Sequence, residues 1–185
     1  MKKHIIIIGP PRSGKTTLVR MFMDLGYSYL SLDNITSAYV GATSMHKKYL
    51  SIEEREKQLE IPKNMIRYYL EEVNRYEQDI KYVVDFNIYH KDLLEYFVKE
   101  CETIFLVYPK LTEEELFKRI RECDTENDWT YIESDISLKM YCEYFIDVSN
   151  KMLEFAKKNN CKYFDVSYNR AQLLVDFFNE IKDNY

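Results

Sequence analysis

Gly9-Pro10-Pro11-Arg12-Ser13-Gly14-Lys15-Thr16 meets G-x-x-x-x-G-K-[ST] at every fixed position, and each fixed residue type has a task at a polyphosphate. Glycines let the backbone wrap close to phosphate oxygens, so that successive loop N–H groups point at them. A helix beginning at Lys15 would add free N–H groups and the positive end of its dipole. Lys15 is expected to reach the β- and γ-phosphates and the Thr16 hydroxyl to ligate Mg²⁺, with a Thr17 hydroxyl near the α-phosphate. Pro10, Pro11, Arg12 and Ser13 complete the enclosing loop. The alternative is a Gly/Pro turn before an ordinary helix. Context argues against it, because four isoleucines, Ile5–Ile8, precede the loop and a helix-period segment, Lys15–Leu25, follows.

Asp85 closes the apolar run Tyr82-Val83-Val84. A carboxylate so placed can hold Mg²⁺, usually through water, beside a phosphate loop. The other reading is an Asp that caps the following turn.

These groups act only if a frame brings them together, and the rest of the chain reads as such a frame. Short apolar runs at His4–Ile8, Lys81–Val84, Thr103–Val107 and Lys162–Val166 predict buried strands, with Ser28–Leu32 a weaker fifth. Helical patterns lie between them. Lys15–Leu25 stops at Gly26, and Ile66, Leu70 and Val73 share a face in the stretch from Ser51 to Gln78. Leu93, Leu94 and Phe97 share another, and Thr112 to Glu115 has capping-box spacing. Ile136, Met140, Tyr144, Val148 and Met152 predict one apolar stripe, and Leu173, Leu174, Phe177, Phe178 and Ile181 predict a second. Strands alternating with helices imply parallel βαβ crossovers and a three-layer α/β domain.

Composition narrows the classes. The chain has 185 residues, 46% apolar and 31% charged, with a net charge of −5. That length suits one globular domain. The acidic balance argues against a non-specific nucleic-acid or membrane coat. No apolar stretch is long enough to span a bilayer, and Gly9-Pro10 breaks the isoleucine run before it could serve as a signal peptide. Four cysteines, Cys101, Cys123, Cys142 and Cys161, have no metal-site spacing and read as reduced packing thiols in a cytoplasmic protein. His46 and His90 have no partner pattern.

In these features the chain resembles P-loop kinases of the nucleoside-monophosphate-kinase and shikimate-kinase type. The likeness rests on Ile5–Thr17, Ser31-Leu32-Asp33, Val83-Val84-Asp85, Arg119-Ile120-Arg121 and Tyr163-Phe164-Asp165-Val166-Ser167. The resemblance implies a five-stranded parallel sheet of order 2-3-1-4-5, a substrate-binding helical region over about 34–80, and a mobile lid over about 119–134. It also implies ATP and Mg²⁺, a small-molecule acceptor, and a monomer or homodimer. Asp33 occupies the place of a carboxylate facing the acceptor hydroxyl, although Asp33-Asn34 is equally a good helix-capping pair. Arg119 and Arg121 lie where lid arginines flank the γ-phosphate or stack on the base. They could instead pair with the preceding glutamates on a solvated helix. Ser167 falls where related kinases hold the nucleobase through backbone groups.

The lid sequence Glu122-Cys123-Asp124-Thr125-Glu126-Asn127-Asp128-Trp129 departs from that family in being acidic, which speaks against a nucleoside monophosphate as acceptor. Trp129 reads either as a ligand-stacking ring or as an anchor for this segment. No N-K-x-D motif of a GTPase is present, and the chain is too short for an AAA+ motor. The expectation is an ATP-dependent small-molecule phosphotransferase. The rival is a nucleotide-binding regulatory or partner-binding protein that kept the phosphate loop.

Overall fold

Strand β1 (Ile5–Ile8) is fully buried, as suits β-branched side chains on a strand covered on both faces. The computed structural model describes residues 4–43, 52–76, 79–87, 91–126 and 128–182. β1 pairs in parallel with β3 (Tyr82–Phe86) on one side and with β4 (Glu102–Val107) on the other. β2 (Ser28–Ser31) joins beyond β3, and β5 (Lys162–Asp165) beyond β4. The sheet therefore has five parallel strands in the order 2-3-1-4-5, flanked by helices, as the resemblance implied.

Alternation along β1 divides the core in two. Ile5 and Ile7 pack with Leu18 and Phe22 of α1 (Lys15–Asp24), Leu116 and Ile120 of α5 (Glu113–Cys123), and Leu174 and Phe177 of α7 (Arg170–Ile181). Ile6 and Ile8 face Leu32 of α2 (Leu32–Ala42), Ile66 and Leu70 of α3 (Ile52–Tyr76), and Leu94 and Phe97 of α4 (Lys91–Glu100). The capping box at Thr112 and Glu115 forms as its spacing predicts. Gly26, at φ +89°, ends α1 in the left-handed region that glycine holds without strain.

The helix α6 (Asp135–Lys158) corrects one expectation. Val148 and Met152 are buried, but Ile136, Met140 and Tyr144 are 79%, 69% and 60% exposed. The buried line runs through Leu138, Cys142, Phe145, Ser149 and Met152 instead. A strict four-residue repeat drifts by about 40° per step on a helix of 3.6 residues per turn. The stripe therefore begins on the solvent side and reaches the core only at its end. In α7, Leu173 is likewise half-exposed while its neighbour Leu174 is buried.

Three further differences concern the site. Asp85 lies inside β3, opposite Ile7 and Ser31, and does not cap a turn after it. Leu32 belongs to α2 and not to the preceding strand, because the Ser31 hydroxyl accepts the Asn34 N–H and starts the helix there. Cys101 and Cys142 are packing thiols, whereas Cys123 is exposed. His46 and His90 lie outside the described residues. Among the described residues no helix is long and apolar enough to cross a membrane.

Candidate active site

The phosphate loop links the end of β1 to α1, and its shape depends on its two glycines. The Gly9 N–H donates to the Phe86 carbonyl at 3.0 Å, tying the loop to β3. A Cβ on Gly9 would lie 2.5 Å from the Leu106 carbonyl oxygen, so no side chain fits. Gly14 stands at φ +98° with the Leu174 side chain 2.7 Å from where a Cβ would be. Three successive loop carbonyls each receive a side-chain donor. Lys15 Nζ donates to Pro10 and the Tyr108 hydroxyl to Pro11, both at 3.0 Å, and Arg170 donates to Arg12. The Ser13 hydroxyl is buried without a partner among the described residues.

A pocket of about 210 Å³ opens at this loop, lined by Gly14, Lys15, Thr16 and Thr17 together with Arg12, Arg170 and Cys123. A tight backbone with an unpartnered buried hydroxyl and three cations fits a polyphosphate. The donor set also fits Mg²⁺, since Thr16 and Asp85 offer the hard oxygen ligands that ion takes.

Two carboxylates stand beside the loop. Asp85 is almost wholly buried and accepts from the Tyr29 hydroxyl at 3.0 Å. Burial pushes its pKa above the usual carboxylate range, against the opposing pull of that hydrogen bond and of Lys15. Asp33, in the first turn of α2, accepts from Asn87 Nδ2 at 2.9 and 3.2 Å. It does not cap the helix, because Ser31 does. Lys15 is within electrostatic reach of both acids, yet desolvation outweighs them and lowers its pKa to about 8. Tyr29 is pushed up to about 12, chiefly by burial.

The two arginines Arg119 and Arg121 do not meet at the loop. Arg119 donates to the Val166 carbonyl at 3.3 Å and to the Ser167 carbonyl. Burial, and the nearby charge of Arg170, lower its pKa. Arg121 is directed to the segment after α5, donating to the carbonyls of Thr130 and Glu133 at 3.0 and 2.7 Å and to Asp135 at 2.7 Å. It lines neither the loop pocket nor its neighbour.

Ser167 is also occupied internally. Its N–H donates to Asp165 and its carbonyl accepts from Arg119. The open space beside it, about 470 Å³, is lined by Arg119 with Asn169, Arg170, Ala171 and Gln172. Asn169 stands at the start of α7, but its side chain makes no capping bond. Trp129 packs edge-on against Tyr141 and Phe145, an anchor for a 3₁₀ turn over Trp129–Ile132.

Several residues at the site escaped the sequence reading. Tyr29 and Asn87, which hold the two carboxylates, carry no motif. Arg170, at the start of α7, reaches back to the Arg12 carbonyl across the fold. The acidic segment hides a specific contact, since Arg12 of the loop pairs with Asp124 and, at 3.1 Å, with Asp128.

The parallel sheet with a phosphate loop at the end of β1 defines a P-loop architecture. Neither a family profile nor a curated protein matches the sequence. Solved structures do match over the full length. Shikimate kinase from Bacteroides thetaiotaomicron is 19% identical, with a TM-score of 0.62 and 99% of both chains covered. Shikimate kinase from Acinetobacter baumannii in complex with shikimate is 15% identical at a TM-score of 0.59, covering 100% of this chain and 95% of its own. Dephospho-CoA kinase from Campylobacter jejuni is 17% identical at 0.56, with both chains fully covered. The chain has the fold of the nucleoside-monophosphate-kinase and shikimate-kinase type.

Proposed function

We propose that this protein is a Mg²⁺-ATP-dependent phosphotransferase acting on a hydroxyl or phosphate of a small-molecule acceptor. The observation that carries this reading is that two carboxylates, Asp85 held by Tyr29 and Asp33 held by Asn87, stand on the strand beside β1 and on the helix that follows β2, next to the phosphate loop. Asp33 is held by two contacts from Asn87 at the start of α2, where a carboxylate can face an acceptor hydroxyl. The kinases of similar structure share the fold, and four free thiols suit a cytoplasmic setting.

In this reading Lys15 and the loop N–H groups bind the β- and γ-phosphates, while Thr16 and Asp85 would hold Mg²⁺, which would supply charge neutralisation. The acceptor oxygen forms a bond to the γ-phosphorus as the bridging P–O bond breaks, its electron pair leaving on ADP. The acceptor's proton passes to the Asp33 carboxylate. Residues of α2 and α3 within 34–80 form the acceptor region, and 119–134 the lid. The nucleobase lies against Arg119 and the start of α7 at Asn169 to Gln172, with the Ser167 carbonyl holding Arg119 at that place.

Asp33→Asn tests the assignment. Asparagine still accepts from Asn87 and the Ser31 cap is untouched, so stability should change by under ~0.5 kcal/mol. Nucleotide affinity should stay near wild type while phosphoryl transfer falls on the order of 10²–10⁴-fold, the range for one general base. Full activity in the variant would remove Asp33 from the chemistry.

A further inference from the structure

We infer that Arg12, aimed by the carboxylates of Asp124 and Asp128, is the cation that recognises the γ-phosphate, so that the acidic lid serves a cation held in the loop. This rests on the reading of the loop pocket as a nucleotide site. A transferring phosphoryl group needs positive charge beyond Lys15 and Mg²⁺, and arginine supplies it well through its planar fork. Neither arginine of α5 is placed for this. Arg119 is bound to carbonyls after β5 and Arg121 to carbonyls of its own segment. Arg12 instead lines the loop pocket together with Lys15 and Thr16.

Its geometry is prepared in advance. All the described contacts of the Arg12 side chain are made by Nη2, to Asp124, to Asp128 at 3.1 Å and to the Thr130 hydroxyl at 3.4 Å. Nη1 and Nε carry no described bond, which leaves part of the donor fork unused. The two acids are themselves held from elsewhere. Asp124, with a side chain only 2% exposed, accepts from the Thr130 hydroxyl at 2.6 Å and has Arg121 3.8 Å from its other oxygen. Asp128 accepts from the N–H and hydroxyl of Thr125, both at 2.9 Å. A guanidinium gripped by two fixed carboxylates loses little further freedom when an anion arrives. Arg12 also stands at φ +62°, a left-handed backbone that glycine would hold without strain. A side chain is present where a glycine would suit the backbone better.

Calorimetric binding of Mg²⁺-ADP and of a non-hydrolysable Mg²⁺-ATP analogue tests this without knowledge of the acceptor. Arg12→Ala should weaken the analogue by about tenfold or more while changing ADP affinity far less, because only the analogue carries a γ-phosphate. Arg12→Lys should restore part of the difference. Asp128→Asn, on the surface, should narrow the preference for the analogue over ADP at unchanged melting temperature, whereas a purely structural Asp128 would leave that preference intact. Equal losses for both nucleotides in Arg12→Ala would overturn the inference. So would tighter binding in Arg12→Ala or Asp128→Asn, which would make the pair an inhibitory latch. Lys15→Ala separates the two levels of the account. If wild type binds both ligands and Lys15→Ala binds neither, the pocket stands and an inert Arg12 refutes this inference alone. If wild type binds neither, the nucleotide reading falls and this inference with it.

Discussion

Lys15 holds its ammonium where water barely reaches, and the direction of its pKa shift makes a prediction. Desolvation lowers the value from 10.5 to about 8 even though Asp85 and Asp33 favour the charged form. A base depressed in the folded state is destabilising while charged. That effect is fully present below the folded pKa of about 8 and disappears as pH rises past the unfolded value of 10.5. A polyphosphate beside the ammonium opposes the depression, so nucleotide binding should take up protons at about pH 8.5. Calorimetry in two buffers of different ionisation enthalpy measures that uptake. Lys15→Met should abolish it and raise the melting temperature of the ligand-free protein at neutral pH. Proton release on binding would contradict the placement of Lys15. This residue was legible in the sequence because the chemistry fixes its type and its spacing from two glycines. The Arg12–Asp124 pair was not, since its partners stand 112 residues apart and only the folded chain brings them together. Tyr29 and Asn87 were invisible for the same reason, as contacts of Asp85 and Asp33 across neighbouring elements.

Helix starts and helix faces decide where these side chains point. The Ser31 hydroxyl ends β2 one residue earlier than hydrophobicity suggests, and so places Asp33 in the first turn of α2, opposite Asn87. Asp85 lies within electrostatic reach of Lys15, on a strand that continues through Phe86, whose carbonyl receives the Gly9 N–H. Capping chemistry at Thr112 was readable because both partners are local. The face of α6 was misread because its first half carries apolar residues on two sides, and only packing against the sheet selects Leu138, Cys142 and Phe145. The distinction can be measured by chemical denaturation. Leu138→Ala should lower stability by about 2–5 kcal/mol, as for a buried leucine. Ile136→Ser on the exposed side should change it by no more than ~0.5 kcal/mol. Similar losses at both positions would contradict the observed face.

All five strands run parallel, so their carboxyl ends lie along one edge of the sheet. The loop follows β1, Asp33 follows β2, Asn87 follows β3, Tyr108 follows β4 and Ser167 follows β5. Ligands of such sheets bind in the crevice outside that edge. Here β1 lies between β3 and β4, which brings Asp85 beside the loop and Asp33 just beyond it. The alternation of apolar runs with helical segments revealed a parallel sheet, because each crossover needs a helix's length of chain. The spatial order of the strands left no mark in periodicity and came from resemblance to a known architecture. The most direct measurement of the central claim is transfer of a labelled γ-phosphate from Mg²⁺-ATP to a panel of small metabolites bearing hydroxyl or phosphate groups. The account predicts stoichiometric appearance of ADP and one phosphorylated product with the wild type, absent with Lys15→Ala. Tight Mg²⁺-ATP binding without transfer to any member of a broad panel would contradict it and favour a nucleotide-binding regulator.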